Sequence, residues 1–197
     1  LIRLSKLCWL VGLLALLACT KPDYPVPINA IDISWQHPHP DFQLLDSGGK
    51  PHKLADYHGK VAVVFFGYTH CPEVCSTTLA DMARVMRLLG RDAVKVQVLF
   101  VTLDPERDTP EVLAKFIPSF DSAFVGLYGD AQATAQAAKS FGVNYQKQID
   151  KKGGYTLDHS DGTYLIGPDG NPLWLARYGL GSDLLAQDIK ILLAITR

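Results

Sequence analysis

Two cysteines, Cys71 and Cys75, stand four residues apart in the segment Gly67-Tyr-Thr-His-Cys71-Pro-Glu-Val-Cys75. Thiolates are both nucleophiles and soft metal ligands, so the pair allows disulfide exchange and metal binding. A purely structural disulfide is the weaker reading. Closing a loop of about five residues gains only ~2 kcal/mol in the chain-entropy model, against ~4.7 for a loop of about a hundred. In a regular helix, residues i and i+4 share one face with Cβ atoms roughly 5–6 Å apart. That is wider than the roughly 3.5–4.5 Å of a disulfide, whereas two thiolates on one metal at ~2.3 Å each place their sulfurs about 4 Å apart. The spacing therefore suits a metal well and a disulfide acceptably.

Soft thiolates select Cu(I), zinc or iron–sulfur clusters. The chain holds four Cys, and the other two, Cys8 and Cys19, lie at its N-terminal end. Cys8 is expected to leave with a secretory signal and Cys19 to carry a lipid, so a four-Cys cluster within one chain is not expected, and structural zinc wants four ligands. Copper accepts two Cys and one His. Six His are available. His37 and His39 lie in a proline-rich stretch with nothing nearby to complete a site. His52 and His58 sit in polar, turn-like sequence and are expected in solvent, and His70 adjoins Cys71 too closely to converge on the same ion. His159, in Leu157-Asp158-His159-Ser160, reads equally as a distant ligand and as a solvated loop histidine.

The elements that must position these groups follow from hydrophobic patterning. Val61–Phe66 is a short, continuous, β-branched and aromatic run, as expected of a strand buried on both faces. It delivers the cysteine segment to the start of a helix, with Pro72 in its first turn. The helix carries Leu79, Met82, Ala83, Met86 and Leu89 at helical spacing and is capped by Gly90. A helix start offers partial positive charge and unpaired N–H groups, both of which favour thiolate. Strands at 94–101 and 124–128 follow, each before a helix opened by a capping residue, Thr109 and Asp130. Lys147–Gly154 reads as a mobile loop. Tyr164–Ile166 and Leu173–Leu175 flank a Pro-Asp-Gly turn, and Ser182 caps a last helix. Before all these, residues 42–45 and the turn Asp46-Ser-Gly-Gly49 predict an N-terminal hairpin. The order is hairpin, β-α-β-α-β-α, β-β-α. It predicts an α/β, thioredoxin-like domain with a central mixed sheet flanked by helices.

Composition supports one such domain. The chain has 197 residues, 48% hydrophobic and 20% charged, with 19 Lys and Arg against 20 Asp and Glu. That balance lacks the basic excess of a nucleic-acid binder. The sequence contains no Gly-rich phosphate loop and no Ser-His-Asp signature. At the N-terminus, Arg3 and Lys6 precede an uncharged stretch from Leu7 to Ala18, shorter than the ~20 residues of a stable span. This is the form of a secretory signal. It ends in Leu16-Leu17-Ala18-Cys19, which resembles the lipobox of bacterial lipoproteins. The expected division is a signal peptide over 1–18, a tether over 19–40 and the domain over 41–197. Lipidation of Cys19 would anchor the domain to a membrane of the bacterial cell envelope, on the periplasmic side.

Three segments in register, FGYTHCPEVC, VTLDPERDTPEVL and LDHSDGTYLIGPDG, resemble the Sco/SenC family over about residues 41–197. The resemblance implies a thioredoxin-like fold with an N-terminal hairpin. It also implies one copper per chain, held by Cys71, Cys75 and His159. Asp158 fills the family's acidic position beside the histidine, and Asp104 fills the Asp of its DPERDTP motif, near the metal's outer shell. Glu73 and Ser76 replace the family's usual Asp and second Pro, and neither change removes a ligand. The implied activity is assembly of the dicopper centre of cytochrome c oxidase subunit II, by delivering copper or by reducing the recipient's cysteines. The implied partners are that subunit, a periplasmic copper donor and a thiol reductant. A thiol peroxidase on the same layout is a third reading. It would want Thr three residues before the reactive Cys, whereas Thr69 is two before Cys71.

Overall fold

Strand β4 (Val61–Gly67) is buried at every position, as its unbroken apolar run requires. This computed structural model describes residues 27–35, 40–151 and 153–195. The signal segment, Cys19, His37 and His39 lie outside the described residues. Around β4 the chain forms β1 (Ile31–Asp32), β2 (Gln43–Asp46), β3 (Pro51–Lys53), β5 (Val96–Thr102), β6 (Val125–Tyr128), β9 (Thr163–Ile166) and β10 (Pro172–Ala176). They make one sheet in the order β1-β10-β9-β4-β5-β6-β2-β3. β4, β5 and β6 are parallel, with Gly67 opposite Thr102, and β9 pairs antiparallel with β4. The helices are α1 (Val74–Leu89), α2 (Pro110–Phe116), α3 (Ala131–Ser140) and α4 (Ser182–Ile195). The mixed sheet with its helices and the N-terminal β2–β3 hairpin is the thioredoxin-like layout expected.

Local chemistry sets most boundaries. Thr109 accepts the Val112 N–H and Pro110 opens α2, while Asp130 accepts the Ala133 N–H at 2.7 Å. The apolar stripe of α1 is buried as its spacing predicts, and Gly90 ends the helix at φ +57°. α4 packs beside α1, tied by Arg84–Asp183 and by Ser182 Oγ donating to Asp81. Ser182 is therefore the first residue of α4, and its hydroxyl is spent on α1 rather than on a cap.

Three further expectations about the fold are corrected. The ordered domain starts before Asp41: β1 pairs with β10, Ile33 is buried, and Asn29 and Ala30 donate their N–H groups to Asp188 of α4. Asp188 is itself fully buried, so these donors satisfy a carboxylate that the core would otherwise strand. His52 is not in solvent. Its ring lies between Tyr57 Oη at 2.7 Å and Asp46 Oδ2 at 3.0 Å, with 10% of the side chain exposed. Finally, the expected mobile loop is a hairpin, β7 (Tyr145–Ile149) against β8 (Tyr155–His159), which forms a separate two-stranded sheet. Its apolar alternation is nearly absent because only Leu157 is buried, so patterning gave no strand signal.

Candidate metal centre

The cysteines straddle the start of α1 rather than sharing its face. α1 opens at Val74, so Cys75 lies in the first turn, while Pro72 and Cys71 precede the helix. The turn before it is built by Cys71 N–H donating to the Tyr68 carbonyl. Cys71 Sγ then accepts the Cys75 N–H at 3.4 Å, taking one of the donors a helix start leaves unpaired. Both thiols are free, Cys75 fully buried and Cys71 partly exposed. Burial pushes the Cys75 thiol well above its ordinary value, and the neighbouring Cys71 adds to that. For Cys75, desolvation thus outweighs the thiolate-favouring helix end expected from sequence.

Two features hold the pair in place. A Cβ at Gly67 would meet Cys75 Sγ at 2.8 Å, so only glycine allows β4 to approach the sulfur this closely. Asp108, fully buried, accepts from the Thr69 N–H at 2.9 Å, the Thr69 hydroxyl at 2.6 Å and the Thr102 hydroxyl at 2.6 Å. It thereby fastens the cysteine turn to the end of β5. The half-exposed His70 ring lies 3.8 Å from the same carboxylate. Sequence reading passed over Asp108 and Gly67. The second aspartate of DPERDTP was the available signal for the former.

His159 is the last residue of β8, partly exposed, and not in a loop as expected. With Cys71, Pro72 and Tyr68 it lines one open cleft of about 450 Å³. Its ring meets the buried Tyr68 ring edge-on, with centroids 6.1 Å apart. The Nδ1···Ser160 O contact of 2.9 Å requires a proton on Nδ1, because a carbonyl only accepts. Neutral His159 therefore presents the Nε2 lone pair, the form a metal needs. Among the described residues, no three His, Cys, Asp or Glu side chains approach closely enough to hold an ion. Cys71 and His159 border one cleft, while Cys75 is buried behind it against β4. As a donor set, two sulfurs and one imidazole with no carboxylate fit Cu(I) in preference to calcium or magnesium.

The two expected outer residues divide. Asp158 borders the cleft but is exposed, on the strand position alternate to His159. Asp104 is buried and is not part of the cleft lining. It accepts from Arg107 Nε and from the Tyr155 hydroxyl, the latter at 2.8 Å. Arg107 Nη1 also donates to the Tyr155 carbonyl at 2.9 Å. Leu157 N–H donates to Tyr68 Oη at 3.2 Å, and burial pushes that phenol above its ordinary value.

Comparison with known proteins agrees with this architecture. The family model described as SCO1/SenC matches residues 34–194. The SCO2 homologue of mitochondria from Bos taurus is 39% identical over 133 residues, covering 66% of this chain and 50% of that one. The chain spans about half the length of the mitochondrial SCO2 homologues it matches. The copper-bound structure of Bradyrhizobium japonicum ScoI superimposes with a TM-score of 0.72 at 39% identity, covering 77% of this chain and 97% of that chain. Apo Sco1 from Thermus thermophilus gives a TM-score of 0.76 at 34% identity, over 85% and 98%. With a family match across nearly the whole folded region and Sco structures sharing its fold, this chain belongs to the SCO1/SenC family.

Proposed function

We propose that the protein binds one copper ion through Cys71, Cys75 and His159 and delivers it to the dicopper centre of cytochrome c oxidase subunit II. The observation that carries this reading is the cleft shared by Cys71 and His159, with Nε2 of the imidazole left free by the Nδ1–Ser160 bond. The copper-bound relative from Bradyrhizobium japonicum supports the choice of metal. Closing the site requires His159 and the thiols to draw together on the ion. Metal analysis and copper-edge absorption on reduced protein test the assignment. Wild type is expected to bind one copper with sulfur and nitrogen neighbours. His159→Ala should lose the nitrogen, and unchanged copper binding in that variant would refute the ligand set. A periplasmic copper donor would load the site. Lipidation at Cys19 would hold the domain at the envelope membrane beside its recipient. Fatty-acid labelling lost in Cys19→Ala tests that anchor.

A second reading rests on the unequal exposure of two free thiols. Cys71 is placed to attack a partner disulfide as thiolate, expelling one partner thiolate and forming a mixed disulfide. Cys75 then attacks Cys71 Sγ, releasing the second partner thiolate and leaving a Cys71–Cys75 disulfide. The partner gains two electrons, and an external thiol reductant must restore the pair. Under this reading His159→Ala keeps full activity in oxidase assembly while either cysteine change abolishes it. Under copper delivery all three variants fail.

A further inference from the structure

Among the described residues, the hairpin that carries His159 shares no ladder with the main sheet. What fastens it centres on one side chain. Arg107, in the loop between β5 and α2, touches three pieces at once. Its Nε donates to Asp104, its Nη1 to the Tyr155 carbonyl, and its Cζ lies 3.6 Å above the Tyr155 ring and 5.6 Å from the Tyr68 ring. Lys147 also lies against the Tyr155 ring, at 4.6 Å, and pairs with Glu106 from the same loop as Arg107. Tyr155 donates its hydroxyl to Asp104, and Tyr68 accepts the Leu157 N–H two residues before His159. Arg107 Nη2 is buried with no acceptor among the described residues. The guanidinium is thus placed by its carboxylate, carbonyl and ring contacts, with one donor nitrogen left over. A planar, forked cation can lie flat on one ring while its in-plane N–H groups bond a carboxylate and a carbonyl; an ammonium has no such plane.

We infer that Arg107 is a positioning residue for metal ligation: by pinning the β7–β8 hairpin to the Tyr68 turn it sets how far His159 stands from the two thiols. This rests on the reading of His159 as a copper ligand. The cysteines need no such device, since core packing holds them. The imidazole sits on a strand whose ties to the body are few, and Arg107 makes several of them.

The test compares wild type, Arg107→Ala, Arg107→Lys and His159→Ala. In metal-free protein, Arg107→Ala should speed hydrogen exchange of the Leu157 amide about tenfold or more, while β4 amides exchange as in wild type. With Cu(I) as probe, it should weaken affinity about 10–100-fold, the range for loss of a group that orients a ligand, and diminish the nitrogen contribution at the copper edge. Arg107→Lys, which keeps the charge but loses the fork, should move all three readouts in the same direction by less, and it decides the matter if Arg107→Ala fails to fold. Wild-type exchange at Leu157, or wild-type affinity and nitrogen signal, in a folded Arg107 variant overturns the inference alone. A wild-type site showing no imidazole nitrogen overturns the ligand assignment, and the inference with it.

Discussion

Cys75 rests against β4, where all seven residues are buried, whereas His159 ends β8, where Leu157 is the single buried residue. The thiol side of the cleft is fixed by close packing: a glycine that admits the sulfur and a buried carboxylate that ties down the turn. The imidazole side is fixed by hydrogen bonds and cation–aromatic contacts at the surface. Packed cores deform in discrete, costly steps, while a lightly tied hairpin opens locally at little cost. Under the proposed ligand set, a site assembled across that boundary would keep two donors in place and move the third, which would suit an ion that is taken up and later given away.

The sharpest break in the comparison comes from the thiols. Cys71→Ser or Cys75→Ser removes one of two soft donors, and metal analysis should find no tightly bound copper in either, with the fold retained by circular dichroism. Asp108→Ala attacks the packed side next. It strands Thr69 and Thr102 donors, at about 1–3 kcal/mol for each group left buried without a partner. Urea unfolding should register a global loss, with an altered slope counting against a simple stability effect. Gly67→Ala drives a methyl toward Cys75 Sγ and should cost about 1–3 kcal/mol, again read globally; a neutral result would show that the sulfur relaxes and that the packed side is soft. Tyr155→Phe on the hairpin side should be smallest globally, about 0.5–1.5 kcal/mol for its hydrogen bond to Asp104.

That last variant also sharpens the comparison through pH. Burial, then the bond to Asp104, pushes the Tyr155 phenol up to about 12. The folded chain therefore holds this proton more tightly than the unfolded chain. The contribution is intact below an ordinary tyrosine pKa of about 10 and is lost as pH rises through about 12. Asp104, Arg107, Lys147 and Glu106 surround the group and shape that step. Hairpin amides in wild type should show an alkaline rise in exchange protection loss that is absent in Tyr155→Phe, while β4 amides show neither.

Residue type and spacing alone determined the mixed α/β layout, the capped helices, the buried central strand and the soft-donor chemistry of Cys71 and Cys75, because all of these arise from local periodicity and side-chain chemistry. Motif resemblance pointed to His159 from more than eighty positions away, yet nothing local distinguished it from a solvated loop residue. Tertiary structure decided the rest: that Cys71 lies before the helix, that Asp108 secures the cysteine turn, that Asp104 serves the hairpin through Arg107 and Tyr155, and that residues 145–149 and 155–159 pair as strands. Those outcomes depend on which groups meet after folding. A polar hairpin held by hydrogen bonds and stacked cations leaves almost no hydrophobic pattern in the chain, and a buried carboxylate reads like any loop acid until its donors close around it.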